Sequence, residues 1–300
     1  MPLGLLTGLG AALSWGTLDI LSAISSRRIG SLKVTTGIQL VGATLVLVLA
    51  LGSGTPFPTD PAVLVGGALV GVAGAGAYLA YFTGLRIGPI AVVSGMVAAY
   101  GGLTVVLAVV FRGETLTPLQ ALGATLATVG VILTGIAFEG GLRGTKLASP
   151  GVAFAIVALV LFATMSIGSD IVIDRSGWLE VLMVSRTANA ILSVGILVVA
   201  LTVLRPWARP LLIGEPGADG RLDGRVVGLV VLAGVLDVLG LIAFTYGLEH
   251  AETWLVGLAS SFGPAVTILV AVALMGERLR PIQWVGLTGV LVGMIAIGLP

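Results

Sequence analysis

The chain has 300 residues, no cysteine and a single histidine, His250. The first absence rules out disulfides, thiolate metal sites and cysteine nucleophiles, and the second leaves little scope for zinc. Charge is scarce too. Only 10% of the residues are Asp, Glu, Lys or Arg, against about 25% in a soluble domain. The formal net charge is +1, so nothing suggests nucleic acid as a partner. Catalytic patterns are also missing. There is no His-Glu-x-x-His, no Gly-x-Ser-x-Gly and no phosphate-binding Gly-x-x-x-x-Gly-Lys, so zinc-protease, serine-hydrolase and ATP-driven chemistry have no residues to carry them. The expectation is a protein that is not an enzyme and needs no cofactor or metal.

What the chain does have is apolar length. It is 57% hydrophobic, with a mean hydropathy of +1.15 and 45 glycines, the small residues that let membrane helices approach closely. A bilayer core of ~30 Å needs about 20 apolar residues in a helix. Ten such runs are present, at roughly 2–24, 32–51, 62–84, 89–111, 118–138, 150–172, 178–203, 226–247, 252–275 and 281–299. The first has no basic flank and is too long for the apolar stretch of a signal peptide. The longest connection, Arg205 to Arg225, is rich in Pro, Gly and charge, with Trp207 and Arg209 placed for the headgroup level.

The chain also repeats itself. Gly113-Glu114-Thr115-Leu116-Thr117-Pro118-Leu119-Gln120 returns 163 positions later as Gly276-Glu277-Arg278-Leu279-Arg280-Pro281-Ile282-Gln283. Thr104/Thr267, Gly123/Gly286, Thr125/Thr288 and Gly130/Gly293 hold the same register. The first two helices of each half align more weakly at an offset near 147, which matches Asp19 with Ser166 and Gln39 with Arg186. A short polar linker, Glu139 to Lys146, separates the halves. The expected fold is therefore an all-α integral membrane protein of ten transmembrane helices, arranged as two five-helix repeats, 1–140 and 147–300. Five spans is an odd number, so the second repeat is inverted in the membrane. Such duplicated units are typical of solute carriers that work around a central site.

Two five-helix repeats, Trp15-Gly16 in the first helix, and Gly-Glu-x-Leu-x-Pro-x-Gln before the last helix of each half resemble the EamA-type branch of the drug/metabolite transporter superfamily. The resemblance covers essentially the whole chain. It implies a ten-helix transporter of small organic solutes with its site enclosed between the halves. Members of such families often carry an arginine in the second helix of a repeat. Here Arg186 supplies it in the second half and Gln39 replaces it in the first.

Thr117, Pro118 and Gln120 read as a helix start, with Thr117 as the cap and Gln120 as its reciprocal partner. Glu114 and Glu277 lie just outside the apolar runs, where they pair with Arg112 or Arg278, cap a helix, or take a gating or substrate role. Charges inside the runs are costly unless buried in the bundle or paired, and four stand out: Asp19, Asp170, Arg186 and Asp237. Asp237 is the leading candidate, midway along the eighth run and matched only by Gly74 in the first half. It either binds a cationic group or a coupling proton, or is a buried acid bonded to a neighbouring helix. The repeat mates of Leu241 and Phe244 on its face are Tyr78 and Tyr81. Asp19 belongs to a stripe of Trp15, Asp19, Ser22 and Ser26 that faces a wet cavity, or else it snorkels from the helix end. Asp170 and Arg186, at similar depth on consecutive helices, form a pair that is structural or gating. Tyr100 and Thr104, and Ser260, Gly263, Pro264 and Thr267, repeat the polar theme. Pro264 frees the carbonyl of Ser260 or simply kinks the helix. His250, Glu252 and Trp254 mark an interface rather than a proton relay.

The expected substrate-binding set is thus Trp15, Asp19, Tyr78, Tyr81, Tyr100, Asp237 and Ser260. Acids with aromatic faces suit an ammonium group, so amino acids, amines or quaternary ammonium compounds are favoured. Sugar phosphates would want several cavity arginines or lysines. Burial favours the protonated form of a carboxyl, so Asp237 or Asp19 can couple transport to a proton; export is the favoured direction. A lipid or headgroup flippase and a sugar-phosphate-type antiporter are the alternatives. The partners are the solute and the bilayer of the cell inner (plasma) membrane, with a homodimer open. Lys and Arg cluster on one side of the bundle and so put both termini outside, whereas the resemblance implies both inside. Gly67/Gly71 and Gly289/Gly293 are spaced to pack helices, by default within the chain.

Overall fold

The computed structural model describes residues 2–88, 90–136, 150–203, 223–263, 265–266 and 281–298. The described residues are almost entirely helical. In chain order they form α1 (Pro2–Ile29), α2 (Ser31–Ser53), α3 (Pro61–Ile87), α4 (Ile90–Ala98) and α5 (Tyr100–Leu107), which runs on into a π turn over Ala108–Arg112. There follow α6 (Pro118–Ile136), α7 (Pro150–Ser176), α8 (Trp178–Thr202), α9 (Gly224–His250), α10 (Thr253–Ser260) and α11 (Pro281–Gly298). Among the described residues, seven helices are long and apolar enough to cross a membrane, and two shorter apolar helices lie at Pro118–Leu133 and Trp284–Ile297. The ninth run is described only as α10 and the few residues after it. The linker Glu139–Lys146, Trp207, Arg209, Pro264, Thr267, Glu277, Arg278, Arg280 and the side chain of Gln283 lie outside the described residues.

Helix ends extend past the apolar runs. α1 reaches Ile29 through Arg27 and Arg28, and α7 reaches Ser176 through Asp174 and Arg175. Intrahelical bonding continues past the apolar stretch into the charged residues that follow it. α1 and α2 are joined by Gly30 alone, and α7 and α8 by Gly177 alone. Their φ values of 89° and 120° are left-handed conformations that other residues resist. Thr117 and Gln120 make the reciprocal cap at the start of α6. Gln120 Oε1 accepts from Thr117 N at 2.9 Å, and Thr117 Oγ1 accepts from Gln120 N at 3.2 Å.

The contacts between the two halves respect the sequence repeat. α1 packs on α9 as α7 packs on α3, and α3 meets α8 as α9 meets α2. While α5 packs on α10, whose own mate is α4, α2 packs on α8 and α6 on α11, each helix on its own repeat mate. Glycine makes the last contact possible. A Cβ on Gly130 would sit 2.6 Å from the carbonyl oxygen of Gly286, and one on Gly123 would sit 2.8 Å from that of Gly293. Gly123 and Gly286 are repeat mates, as are Gly130 and Gly293, so this contact is two-fold in character. Gly67 lies against Val184, and Gly289 and Gly293 against α6, so these spacings pack helices within the chain. Outward faces carry exposed Leu6, Leu13, Val65, Leu69, Ile191 and Ile295, an apolar surface suited to lipid.

Candidate functional site

Two helices are broken at equivalent points. In the α4–α5 pair the amide of Ala99 bonds to the carbonyl of Met96, three residues back instead of four. In the ninth run Ser261 bonds back to Leu258 and Phe262 to Ala259, again at a spacing of three. Phe262 is the repeat mate of Ala99. Mid-helix tightening of this kind often marks a hinge. The two broken helices cross closely, because a Cβ on Gly257 would reach Thr104 Cγ2 at 2.5 Å and one on Gly101 would reach Ser261 Cβ at 2.6 Å. α1 presses on the same region. A Cβ on Gly16 would lie 2.5 Å from the carbonyl oxygen of Gly263, which accounts for the glycine of Trp15-Gly16.

Around these breaks lies a cavity of about 60 Å³ walled by α1, α3, α4, α5, α7, α9 and α10. Typical small-molecule sites run to ~300–1,000 Å³, so the cavity as it stands has room for a few waters. Trp15, Leu18 and Asp19 come from α1, Tyr78 and Tyr81 from α3, Ser94, Val97 and Ala98 from α4, and Tyr100 from α5. The other half gives Phe162, Met165 and Ser166 from α7, Phe244 from α9, and Ser260, Ser261 and Gly263. Six of the seven residues expected to bind substrate line this one space: Trp15, Asp19, Tyr78, Tyr81, Tyr100 and Ser260.

The seventh does not. Asp237 is 0% exposed and sits behind Tyr78, whose hydroxyl donates to Asp237 Oδ1 at 2.6 Å. Arg186 Nη2 pairs with Asp237 Oδ2 at 2.5 Å. Arg186 Nη1 donates to Gln39 Oε1, and the guanidinium lies 5.6 Å from the centre of the Tyr78 ring. Gln39 and Arg186, matched in the sequence repeat, thus touch one another. The cluster carries one positive and one negative charge.

The expected pairing of Asp170 with Arg186 is therefore incorrect. Asp170 pairs instead with Arg112, which also reaches Asp174 at 2.6 Å. The reason is packing order. α7 and α8 follow one another in the chain, but each packs chiefly on α3 and only slightly on the other. Arg186 consequently faces α2 and α9, and Asp170 faces the π turn after α5.

Asp19 is different in kind from Asp237. It is 6% exposed, and Tyr81 donates to its Oδ2 at 2.6 Å, with Ser94 Oγ 3.2 Å from the Tyr81 hydroxyl. Among the described residues it has no cationic partner. Tyr100 and Ser260 meet across the halves at 2.8 Å, and Ser260 Oγ donates to the carbonyl of Gly257 at 2.9 Å.

Two features escaped the sequence. Phe162 is the aromatic hub of the cavity, with its ring centre 5.3 Å from that of Tyr78, 5.8 Å from Tyr100 and 6.1 Å from Tyr81. A phenylalanine in an apolar run carries no signal. Ser94, a lone hydroxyl between Val93 and Gly95, could have been singled out. Of the readings offered for Glu114, the structure has the helix cap and not the Arg112 pair: its Oε1 and Oε2 accept from the backbone amides of Thr253 and Trp254, at 2.9 Å each. Trp254 is fully buried, with its indole donating to Glu252 Oε2 at 2.9 Å. His250 stacks on Tyr246 at 4.2 Å. Among the described residues no group of His, Asp and Glu is arranged to hold a metal ion.

Comparison with known proteins agrees with this architecture. A solved crystal structure shares the fold with a TM-score of 0.76, covering 98% of this chain and 95% of its own, at 21% identity. An uncharacterized protein of Methanocaldococcus jannaschii is 26% identical over 77 residues, which is 26% of this chain and 56% of that protein. The chain thus spans little more than half the length of this relative. The model of the EamA-like transporter family matches residues 2–136 and again 149–299. The chain belongs to the EamA-like transporter family.

Proposed function

We propose that the protein is a secondary transporter of small solutes bearing an ammonium group, such as amino acids, amines or quaternary ammonium compounds. The carrying observation is Asp19, a buried carboxylate on the cavity wall held by a tyrosine and lacking a counter-cation among the described residues. Its neighbours Trp15, Tyr78, Tyr81, Tyr100 and Phe162 offer aromatic faces, which attract a cation through the ring quadrupole. Asp237 is cancelled by Arg186 and serves to hold Tyr78 in place. Asp19 therefore replaces Asp237 as the acid we assign to the solute and to a coupling proton. Solute and proton would take turns at it, which couples efflux to proton entry.

In this reading ten helices cross the inner membrane, five in each half, and the halves rock about the cavity to expose it to one side and then the other. The paired contacts between repeat mates and the two separate matches of the family model support that arrangement. The small cavity volume is consistent with a state closed to both sides.

The test is a thermal-unfolding titration of the purified protein in detergent against ammonium-bearing solutes, sugar phosphates and lipid headgroups. A ligand that binds only the folded state raises the midpoint as ln(1 + [L]/Kd). Ammonium solutes should raise it in the native chain and not in Asp19→Asn, while Asp237→Asn should still respond. A response only to phosphates, or one that survives Asp19→Asn, would overturn the assignment.

A further inference from the structure

We propose that Arg112, Gly113 and Glu114 form a latch that holds the cavity shut at the end of the bundle where α1 begins. It rests on the reading of that cavity as the solute site. Two residues of the first half, on either side of Gly113, grip two separate elements of the second. Arg112 takes Asp170 and Asp174, two carboxylates one turn apart near the end of α7. Gly113 then turns the chain in a left-handed conformation, φ 66°. This delivers Glu114, two residues on, to the N-terminus of α10, where both carboxylate oxygens accept backbone amides.

Each contact is of a strong type. Arginine–carboxylate pairs and carboxylates on helix N-terminal amides are charge-assisted, and the second also meets the positive end of the helix dipole. The elements joined are those that wall the cavity. α5 carries Tyr100 and α10 carries Ser260, and these two hydroxyls meet across the halves. α7 carries Phe162 and Ser166. The latch lies at the opposite end of α7, and of the α4–α5 pair, from the Gly88–Gly151 contact, where α3 and α7 meet with their backbones nearly touching. One end of the cavity is therefore closed by packing, and the other by contacts that can break and reform. The π turn leading into the latch, Ala108–Arg112, is a feature frequent at functional sites.

The absence of native cysteine gives a clean reporter. Ala98→Cys places a thiol on the cavity wall, and Thr59→Cys, on the exposed connection between α2 and α3, identifies which membrane face carries the latch end. Labelling with a membrane-impermeant cationic methanethiosulfonate is followed in intact cells and in inverted vesicles. Losing one charge-assisted contact biases the equilibrium toward the open state, so Arg112→Gln or Glu114→Gln should speed labelling of Ala98→Cys about 10-fold or more from the latch side alone. Arg112→Lys should give a smaller increase. An unchanged rate, or an equal increase from both sides, would overturn the latch.

A variant that fails to fold is replaced by a salt titration with the latch residues native. Arg112 and Asp174 have side chains 27% and 56% exposed, so raising salt from ~0.1 to ~1 M should screen them and speed latch-side labelling. A flat response there would equally refute the proposal. Labelling needs no solute. A thiol that labels as expected but that no ammonium compound protects would count against the solute site and leave the latch standing.

Discussion

Arg186 and Asp237 allow the sharpest test of which buried charges are scaffold. Arg186→Met removes the guanidinium that contacts Asp237 Oδ2 and Gln39 Oε1. The carboxylate left behind has a fully buried side chain, so it must stay ionised without a partner or take up a proton at its own cost. Breaking a buried pair on one side costs about 3–5 kcal/mol. At roughly 2 °C per kcal/mol for a chain of this size, the midpoint should fall by about 6–10 °C. Adding Asp237→Asn to Arg186→Met removes the orphaned charge but keeps an acceptor for the Tyr78 hydroxyl, so at least half of the loss should return. The assay is unfolding in one detergent of the native chain, both single variants and the double, read as a coupling energy. If the double variant is less stable than Arg186→Met by the full cost of Asp237→Asn, the pair is not coupled and the argument fails. If Arg186→Met is neutral, Asp237 is not a buried anion. The same four proteins also test the assignment of Asp19, since the rescued double should still respond to an ammonium solute.

Two further predictions concern packing and capping. Gly130→Ala would place its Cβ 2.6 Å from Gly286 O and 2.7 Å from Val290 N, both backbone atoms, so α6 and α11 must separate and stability should fall by about 1–3 kcal/mol; Gly195→Ala, with nothing within 4 Å, should lose nothing in the same unfolding assay. Thr117→Ala breaks the reciprocal cap of α6 and should cost about 1 kcal/mol, most of which Thr117→Ser should retain.

The fold was legible because two strong signals agree. Twenty apolar residues per span is a length dictated by the bilayer, and the register of the repeat survives in glycines that a close helix contact requires. The pairing of α6 with α11 through Gly123, Gly130, Gly286 and Gly293 is that register realised in space. The breaks were less legible. Pro264 drew notice because proline has a known effect on a helix, yet the tightened bonding already begins at Ser261. Its counterpart at Ala99 has no proline or glycine at the break itself. The cause there is tertiary, a crossing with α10 that the small Gly101 and Gly257 permit, and no local propensity announces it.

The lining of the cavity was legible in its membership and illegible in its pairings. Polar and aromatic residues in apolar helices must face inward, and that rule alone gathered Trp15, Asp19, Tyr78, Tyr81, Tyr100 and Ser260 on one cavity. It could not rank the two acids. Asp19 and Asp237 have similar surroundings in sequence, and the difference lies in an arginine delivered to Asp237 from α8. Chain adjacency suggested Asp170 for that arginine, but α7 and α8 each pack chiefly on α3 and only slightly on one another, so proximity in sequence did not become proximity of these two side chains. Glu114 is legible as a helix cap, but the helix it caps is not. Its partners are backbone amides of residues 253 and 254, and every non-proline residue has such an amide. The duplicated motif shows where a carboxylate sits, but an acceptor whose donors belong to the backbone of another repeat leaves no mark on the side chains of its partner. What identifies it is the three-dimensional end of a broken helix, and that end exists only once the two halves have packed.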